Sequence, residues 1–162
     1  MTNNLTPNVL KATEAIIRQA GDILLEYYRK PLEHTVKDSY GSFVTDADLA
    51  SEKFLIKNLG PLIPGAAFFA EESGSQGSDS DYCWVIDPLD GTTNFSRSFD
   101  YFCISVALTY QEKPIAGFVY RPTTQELFFA QKGGGAFLNG KKITISTQKT
   151  IEGGFFVSCL PY

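Results

Sequence analysis

The second half of this chain constrains its fold more than any other feature. Segments 102–110, 115–120, 126–130, 143–146 and 154–158 are short and rich in β-branched and aromatic residues, the composition of strands. They are broken by Lys113-Pro114, Arg121-Pro122, Gly133 to Gly135, and Asn139-Gly140. Asn-Gly between two such runs is a strong signal for a two-residue hairpin. The expectation is an antiparallel meander.

The first half reads differently. Thr6-Pro7 is a helix start, with Thr as N-cap and Pro at the first helical position. Val9, Ala12, Ile16, Ala20, Ile23 and Tyr27 then recur at helical spacing until Pro31. A strand pair is expected at 35–37 and 42–44, turning near Asp38 to Gly41. Thr45 opens a second helix, with Asp48 completing a capping box, Leu49, Phe54, Leu55 and Leu59 as the apolar face, and Gly60 as the stop. Segment 66–70 reads as a short buried strand ending at Glu71-Glu72. The Gly-, Ser- and Asp-rich stretch 73–81 reads as a surface loop. Helices and early strands followed by a meander give an α+β class, with helices packed on an antiparallel sheet.

Length and charge narrow the function. At 162 residues the chain is one domain, or one domain plus an incomplete second. The net charge is −4 with no Lys/Arg run, which argues against nucleic acid or an anionic membrane as partner. No apolar stretch approaches the roughly 18 residues a membrane span needs. The opening MTNNLTPNVLKATEA has neither the basic nor the apolar region of a signal peptide. Cys83, Cys103 and Cys159 are too few and too scattered for a disulfide framework or a zinc site. The expectation is a reduced, cytoplasmic protein whose thiols fill core space.

The chemistry is concentrated in acids. Asp48, Glu71-Glu72, Asp87 and Asp90 each stand where an apolar element gives out. Any one of them alone is explained as a cap or turn residue. Together they are harder to explain, because acids at strand ends converge on one edge of a sheet and repel one another. A raised pKa or a bound cation relieves that repulsion. Oxygen ligands without His or Cys favour Mg2+ over Zn2+. In WVIDPLDGTTNF, residues 84–95, Pro88 bends the chain so that Asp87 and Asp90 face one point and the Leu89 carbonyl is available as a further oxygen ligand. Gly91-Thr92-Thr93 reads as a helix start able to meet phosphate. Carboxylates for a metal beside an anion-binding turn describe phosphoryl transfer to water.

Three other motifs fit less well. A haloacid-dehalogenase signature, D-x-D-G-T, is one residue shorter than the D-P-L-D-G-T found here. An EF-hand beginning at Asp79 meets Cys83 and Trp84 where a ligand and a glycine are needed. A dinucleotide loop at Gly133 would need Gly in place of Leu138 and a helix after it.

WVIDPLDGTTNF resembles the signature of the inositol monophosphatase family of Mg2+-dependent, lithium-sensitive sugar phosphatases. Lys37 followed by Phe43-Val44-Thr45-Asp46-Ala47-Asp48 resembles the family's first acidic segment, and Phe69-Ala70-Glu71-Glu72-Ser73 its E-E-S segment. The resemblance implies that Glu71, Asp87 and the Leu89 carbonyl hold one Mg2+, and that Asp87 and Asp90 contribute to a second. It makes Asp48 and Thr92, helped by Glu71, the catalytic groups that orient a water for in-line attack. Glu71, Asp90, Gly91 and Thr92 would face the phosphate and the nearest substrate hydroxyl. The substrate is a small phosphate ester, inositol 1-phosphate by default, with a fructose-1,6-bisphosphatase type of activity as the alternative. The implied fold is the first half of a layered αβαβα sandwich, and the implied assembly is a homodimer.

Family members continue into a second α/β domain that carries a W-D-x-A-A-G-like segment. Trp84 is the only Trp of this chain, so that segment is absent. Residues 1–162 are therefore expected to be the N-terminal metal- and phosphate-binding domain of a longer enzyme, or else a half-length metal-binding module with little activity of its own.

Overall fold

The computed structural model describes residues 5–36, 43–77 and 79–154. Helix α1 spans Pro7–Tyr27 and helix α2 spans Asp46–Leu59. Strands β1 (His34–Val36) and β2 (Phe43–Thr45) lie between them as an antiparallel pair. The turn expected at Asp38 to Gly41, together with Lys37, lies outside the described residues.

Eight further strands among the described residues make one sheet. They are β3 (Ala67–Ala70), β4 (Gly74–Gln76), β5 (Tyr82–Asp90), β6 (Cys103–Tyr110), β7 (Lys113–Arg121), β8 (Glu126–Gln131), β9 (Gly135–Leu138) and β10 (Lys141–Ile143). Their spatial order is β10-β9-β8-β7-β6-β5-β3-β4. Neighbours from β6 through β10 are antiparallel, as expected of the meander, and β5 joins it antiparallel to β6. One pair departs from the pattern: β3 and β5 run parallel, with Phe69 opposite Val85 and Ala70 opposite Ile86. A short helix, α3 (Thr92–Ser96), follows β5.

The helix signals act as their chemistry predicts. The Thr6 hydroxyl accepts the Val9 N–H at 3.3 Å, and Pro7 opens α1. The fully buried stripe of α1 is Thr13, Ile17, Ala20, Gly21 and Leu24, rotated by one residue from the expected Ile16 and Ile23, which are half-buried. Gly21 accounts for the rotation. A Cβ there would lie 2.4 Å from the Tyr120 ring, so the helix presses its bare backbone onto β7. In α2, Leu55 and Leu59 are fully buried, but Leu49 is 50% exposed. The buried side of α2 takes in Asp48, Ser51 and Glu52 instead.

Three strand expectations need correction. The β6–β7 turn falls at Gln111 and Glu112, both at positive φ, rather than at Lys113-Pro114. Pro114 lies inside β7, where the register with β6 slips next to Thr109, and such irregular positions accept a residue that cannot donate to the ladder. Gly74–Gln76, expected within a loop, forms edge strand β4 against β3. The strand expected at 143–146 ends at Ile143; Ile145 is 93% exposed, so its alternation has no core to face. The strand expected at 154–158 falls almost wholly outside the described residues. The Asn139-Gly140 hairpin forms, with φ of 47° and 76° at the two residues, the left-handed pair a type I′ turn requires.

The core lies between the helices and one face of the sheet. Ile17, Leu24, Leu55 and Leu59 pack with Trp84, Ile86, Ile104, Val106, Leu108 and Phe118. Because strand side chains alternate, the intervening residues form the other face. There Phe69, Val119 and Phe128 remain substantially exposed. At Gly21, an added methyl group must push into Tyr120, and overpacking of this kind costs about 1–3 kcal/mol, against a gain of roughly 1 kcal/mol from better helix propensity. Gly21→Ala is expected to lower the urea midpoint, whereas the same substitution on an exposed helix would raise it.

Candidate active site

The two acids of WVIDPLDGTTNF are aimed by a bulge. Residues three apart on a regular strand point to opposite faces. In β5, Asp87 pairs with Ser105 and Asp90 pairs with Cys103, so three steps along β5 match two along β6. One extra residue has been taken up around Pro88, as in a β-bulge. Ser105 and Cys103 share a face of β6, and the bulge therefore brings Asp87 and Asp90 to that same face. Pro88 lacks an N–H to donate, which suits it to an interruption in the ladder.

The parallel partner brings in the third acid. β3 and β5 point the same way, and β3 ends with Ala70 opposite Ile86, one residue before Asp87. The Glu71 N–H donates to the Ile86 carbonyl at 3.0 Å, extending the ladder by one step and setting Glu71 beside Asp87. The Asp87 carboxyl is pushed up to about 7, first by burial, then by the charge of Glu71, a hydrogen bond with Glu71 and the charge of Asp90; the Leu89 N–H pulls it down. That N–H donates to Asp87 Oδ1 at 3.1 Å.

On the helix side of this turn, Asp48 is 1% exposed. One of its oxygens, Oδ2, accepts the Thr45 N–H at 2.8 Å, the capping-box contact, and also the Thr45 hydroxyl. The other, Oδ1, lies 3.1 Å from the Thr92 hydroxyl. Burial raises the Asp48 pKa, against hydrogen bonds from Thr45 and Thr92 that lower it. The same Thr92 hydroxyl lies 3.1 Å from the Leu89 carbonyl, so its single proton has two acceptors to choose between. Gly91, between Asp90 and Thr92, has φ of 94°, and a Cβ there would lie 3.0 Å from the Tyr101 carbonyl. Only glycine suits that combination. Its carbonyl accepts the Phe95 N–H at 3.0 Å, which starts α3.

All the predicted site residues thus gather at one end of the sheet. Glu71, Asp87 and Asp90 interact on one side, and Asp48, Thr92 and the Leu89 carbonyl are linked on the other. A groove of about 460 Å³ runs from the Glu71–Asp87 end over Phe69, Val85, Ser105 and Ala107. Two contributors escape a motif reading. Cys103 was expected to be core filling, yet its thiol donates to Asp90 Oδ2 at 3.5 Å and is pushed up to about 12 by burial and then by the Asp90 charge. The second is the polar side of α2: the Ser51 hydroxyl donates to the Pro88 carbonyl at 3.0 Å, and Glu52 accepts the Glu72 N–H at 2.9 Å. The signal for it lay in the i, i+3, i+4 spacing of Asp48, Ser51 and Glu52. Cys83 is free and half-buried, and Cys159 lies outside the described residues. Phe102 is core, whereas Phe99 and Tyr101 are exposed.

The donor set suits a hard cation, although no three acidic, His or Cys side chains among the described residues already stand in a coordination cluster. Glu71 and Asp87 hydrogen-bond to each other instead, which requires a proton between two carboxylates. A divalent cation would relieve the same repulsion and release that proton. The consequence for stability has a definite sign. A carboxyl whose folded pKa is raised stabilises the protein at low pH and loses that contribution as pH rises through the folded value. For Asp87 the window runs from about pH 4 to about pH 7. The melting temperature of metal-free protein should fall across that window. Asp87→Asn should flatten the fall, and so should saturating Mg2+ at its upper end.

The profile of the inositol monophosphatase family matches residues 6–162. Among known proteins, the chain is 39% identical over 152 residues to an inositol-1-monophosphatase of Synechocystis, covering 93% of this chain and 53% of that one. It is 37% identical over 148 residues to Nus factor SuhB of Escherichia coli K12, covering 90% and 55%. Among solved structures, the extragenic suppressor protein suhB of Bartonella henselae superposes with a TM-score of 0.82 at 35% identity, covering 87% of this chain and 55% of that one. The chain spans about half the length of the relatives it matches. With its acids, its bulged strand and its fold in agreement with that match, the chain belongs to the inositol monophosphatase family.

Proposed function

We propose that this chain is the N-terminal metal- and phosphate-binding domain of a Mg2+-dependent phosphomonoesterase acting on a small polyol or sugar phosphate, with inositol 1-phosphate as the default substrate. The observation that carries the reading is the pairing of Asp87 and Asp90 on one face by the Pro88 bulge, with Glu71 beside them. Mg2+ held by Glu71, Asp87, Asp90 and the Leu89 carbonyl would polarise the ester and make a water acidic enough to attack near neutral pH. The chain's own groups do the rest. Thr92 and Asp48, 3.1 Å apart, form a hydroxyl–carboxylate pair that orients the water and takes its proton. The buried Thr45 and Asp48 contacts keep Thr92 facing the turn. Glu71, Asp90, Gly91 and Thr92 face the ester and its neighbouring hydroxyl.

In a protein of its relatives' length, a second α/β domain would cover the sheet face that carries Phe69, Val119 and Phe128 and would complete the substrate pocket. The net charge of −4 supports a small-molecule substrate over nucleic acid or an anionic membrane. Among the described residues no helix is long and apolar enough to cross a membrane. A cytoplasmic homodimer is the assembly we read, with the exposed Phe99 and Tyr101 rings, 6.4 Å apart, as a contact between copies. Lithium sensitivity follows from the same family reading.

A second reading is that the 162-residue chain binds Mg2+ but turns over weakly alone; its length relative to its relatives favours this. Calorimetry with Mg2+ alongside phosphate release from inositol 1-phosphate, on this chain and on a protein of full family length, separates the two. In the longer protein, Asp87→Asn and Thr92→Ala should each reduce the rate by at least about a hundredfold. Unchanged rates in both variants would refute the site. A panel of inositol phosphate, fructose bisphosphate and a 3′-phosphonucleotide identifies the ester.

A further inference from the structure

Helix α2 presents a buried polar row to the site. Asp48, Ser51 and Glu52 are 1%, 0% and 4% exposed, in a position where an amphipathic helix ordinarily places apolar side chains. Each reaches a different part of the acid-bearing turns: Asp48 meets Thr92, Ser51 meets the Pro88 carbonyl, and Glu52 meets the Glu72 N–H. The last contact falls where the chain leaves the sheet. The Glu71 N–H still has a strand partner, the Ile86 carbonyl; the next N–H points to the other side of the chain and falls in the turn beyond Ala70 and Gly74, the last pair of the β3–β4 ladder. Glu52 supplies the acceptor the sheet no longer offers. Burying a carboxylate is costly, and a cost borne at this point is explained if it sets the direction in which Glu71 leaves the strand.

We infer that Glu52 is a positioning residue: through the Glu72 N–H it holds the Glu71–Glu72 turn so that the Glu71 carboxylate meets Asp87. The inference rests on the reading of Glu71 as a Mg2+ ligand. It concerns reach rather than charge, and two conservative variants separate the two. Glu52→Gln keeps an acceptor oxygen at the same distance and removes the charge. Glu52→Asp keeps the charge but draws the carboxylate back by about 1.5 Å, one carbon–carbon bond, beyond hydrogen-bond distance of the 2.9 Å contact.

The first measurement is hydrogen exchange at the Glu72 amide in metal-free chain. It is expected to be about tenfold faster in Glu52→Asp and close to the parent rate in Glu52→Gln, in line with the loss of one ordinary hydrogen bond. The second is Mg2+ affinity by calorimetry, expected to weaken at least about tenfold in Glu52→Asp and to stay within about threefold of the parent in Glu52→Gln. Parent-like exchange in Glu52→Asp overturns the inference, and so does faster exchange with unchanged Mg2+ affinity. Loss of amide protection in Glu52→Gln overturns it as well, and this arm does not depend on Glu52→Asp folding. If the parent chain takes up no Mg2+ at all, the metal-site reading fails, and the exchange arm alone decides the role of Glu52.

Discussion

The site depends on strand β5 departing from ideal pleat geometry at one point. A strand that alternated without interruption through Asp87 and Asp90 would send one carboxylate to each side of the sheet. The extra residue around Pro88 restores them to a common face. Asp87 is pushed up to about 7, first by burial, then by Glu71 from the parallel strand, with a smaller contribution from the charge of Asp90. A fold that gathers carboxylates in this way sets up a demand for a proton or a cation. In the metal-free state the Glu71–Asp87 hydrogen bond meets it. That demand connects backbone geometry to the phosphatase chemistry of the family.

The one parallel pair among the described strands has equal weight. In an antiparallel neighbour of β5, a strand-terminal acid would lie at the far end of the sheet. Because β3 runs parallel to β5, Glu71 leaves β3 at the level where β5 reaches Asp87. The antiparallel majority has a different task. From β6 to β10 it supplies a wide platform whose inner face, with Ile104, Val106, Leu108 and Phe118, anchors the two helices. Helix α2 is thereby fixed close enough to both turns for Asp48, Ser51 and Glu52 to reach them. The buried polar row of α2 departs from ordinary amphipathic patterning, and such departures concentrate where function is built.

Much of this could be read from the residues. The Thr6-Pro7 and Thr45–Asp48 helix starts and the Asn139-Gly140 hairpin each carry a local signal, and the structure realises each of them locally. Local signals failed where a neighbour decides. Ile16 and Ile17 are equally apolar, and Gly21 against Tyr120 determines which one is buried. Leu49 fits a helical apolar stripe, yet the turn chemistry opposite α2 selects Ser51 and Glu52 for the interior. Gln111 and Glu112 form a tight turn without glycine because the strands they join are held by the sheet on either side.

The sequence by itself determined the inventory: which residues carry carboxylates, where helices begin, where the chain must turn, and that proline and glycine flank Leu89-Asp90 in the acidic motif. Those are properties of individual side chains and of the few residues around them. Tertiary structure alone decided the parallel alignment of β3 with β5, the side of the sheet on which Asp90 emerges, the contact of Cys103 with Asp90, and the reach of Glu52 to the Glu72 amide. Each joins groups separated along the chain, or depends on the register of a strand against its partner, and such relations arise only when the core packs.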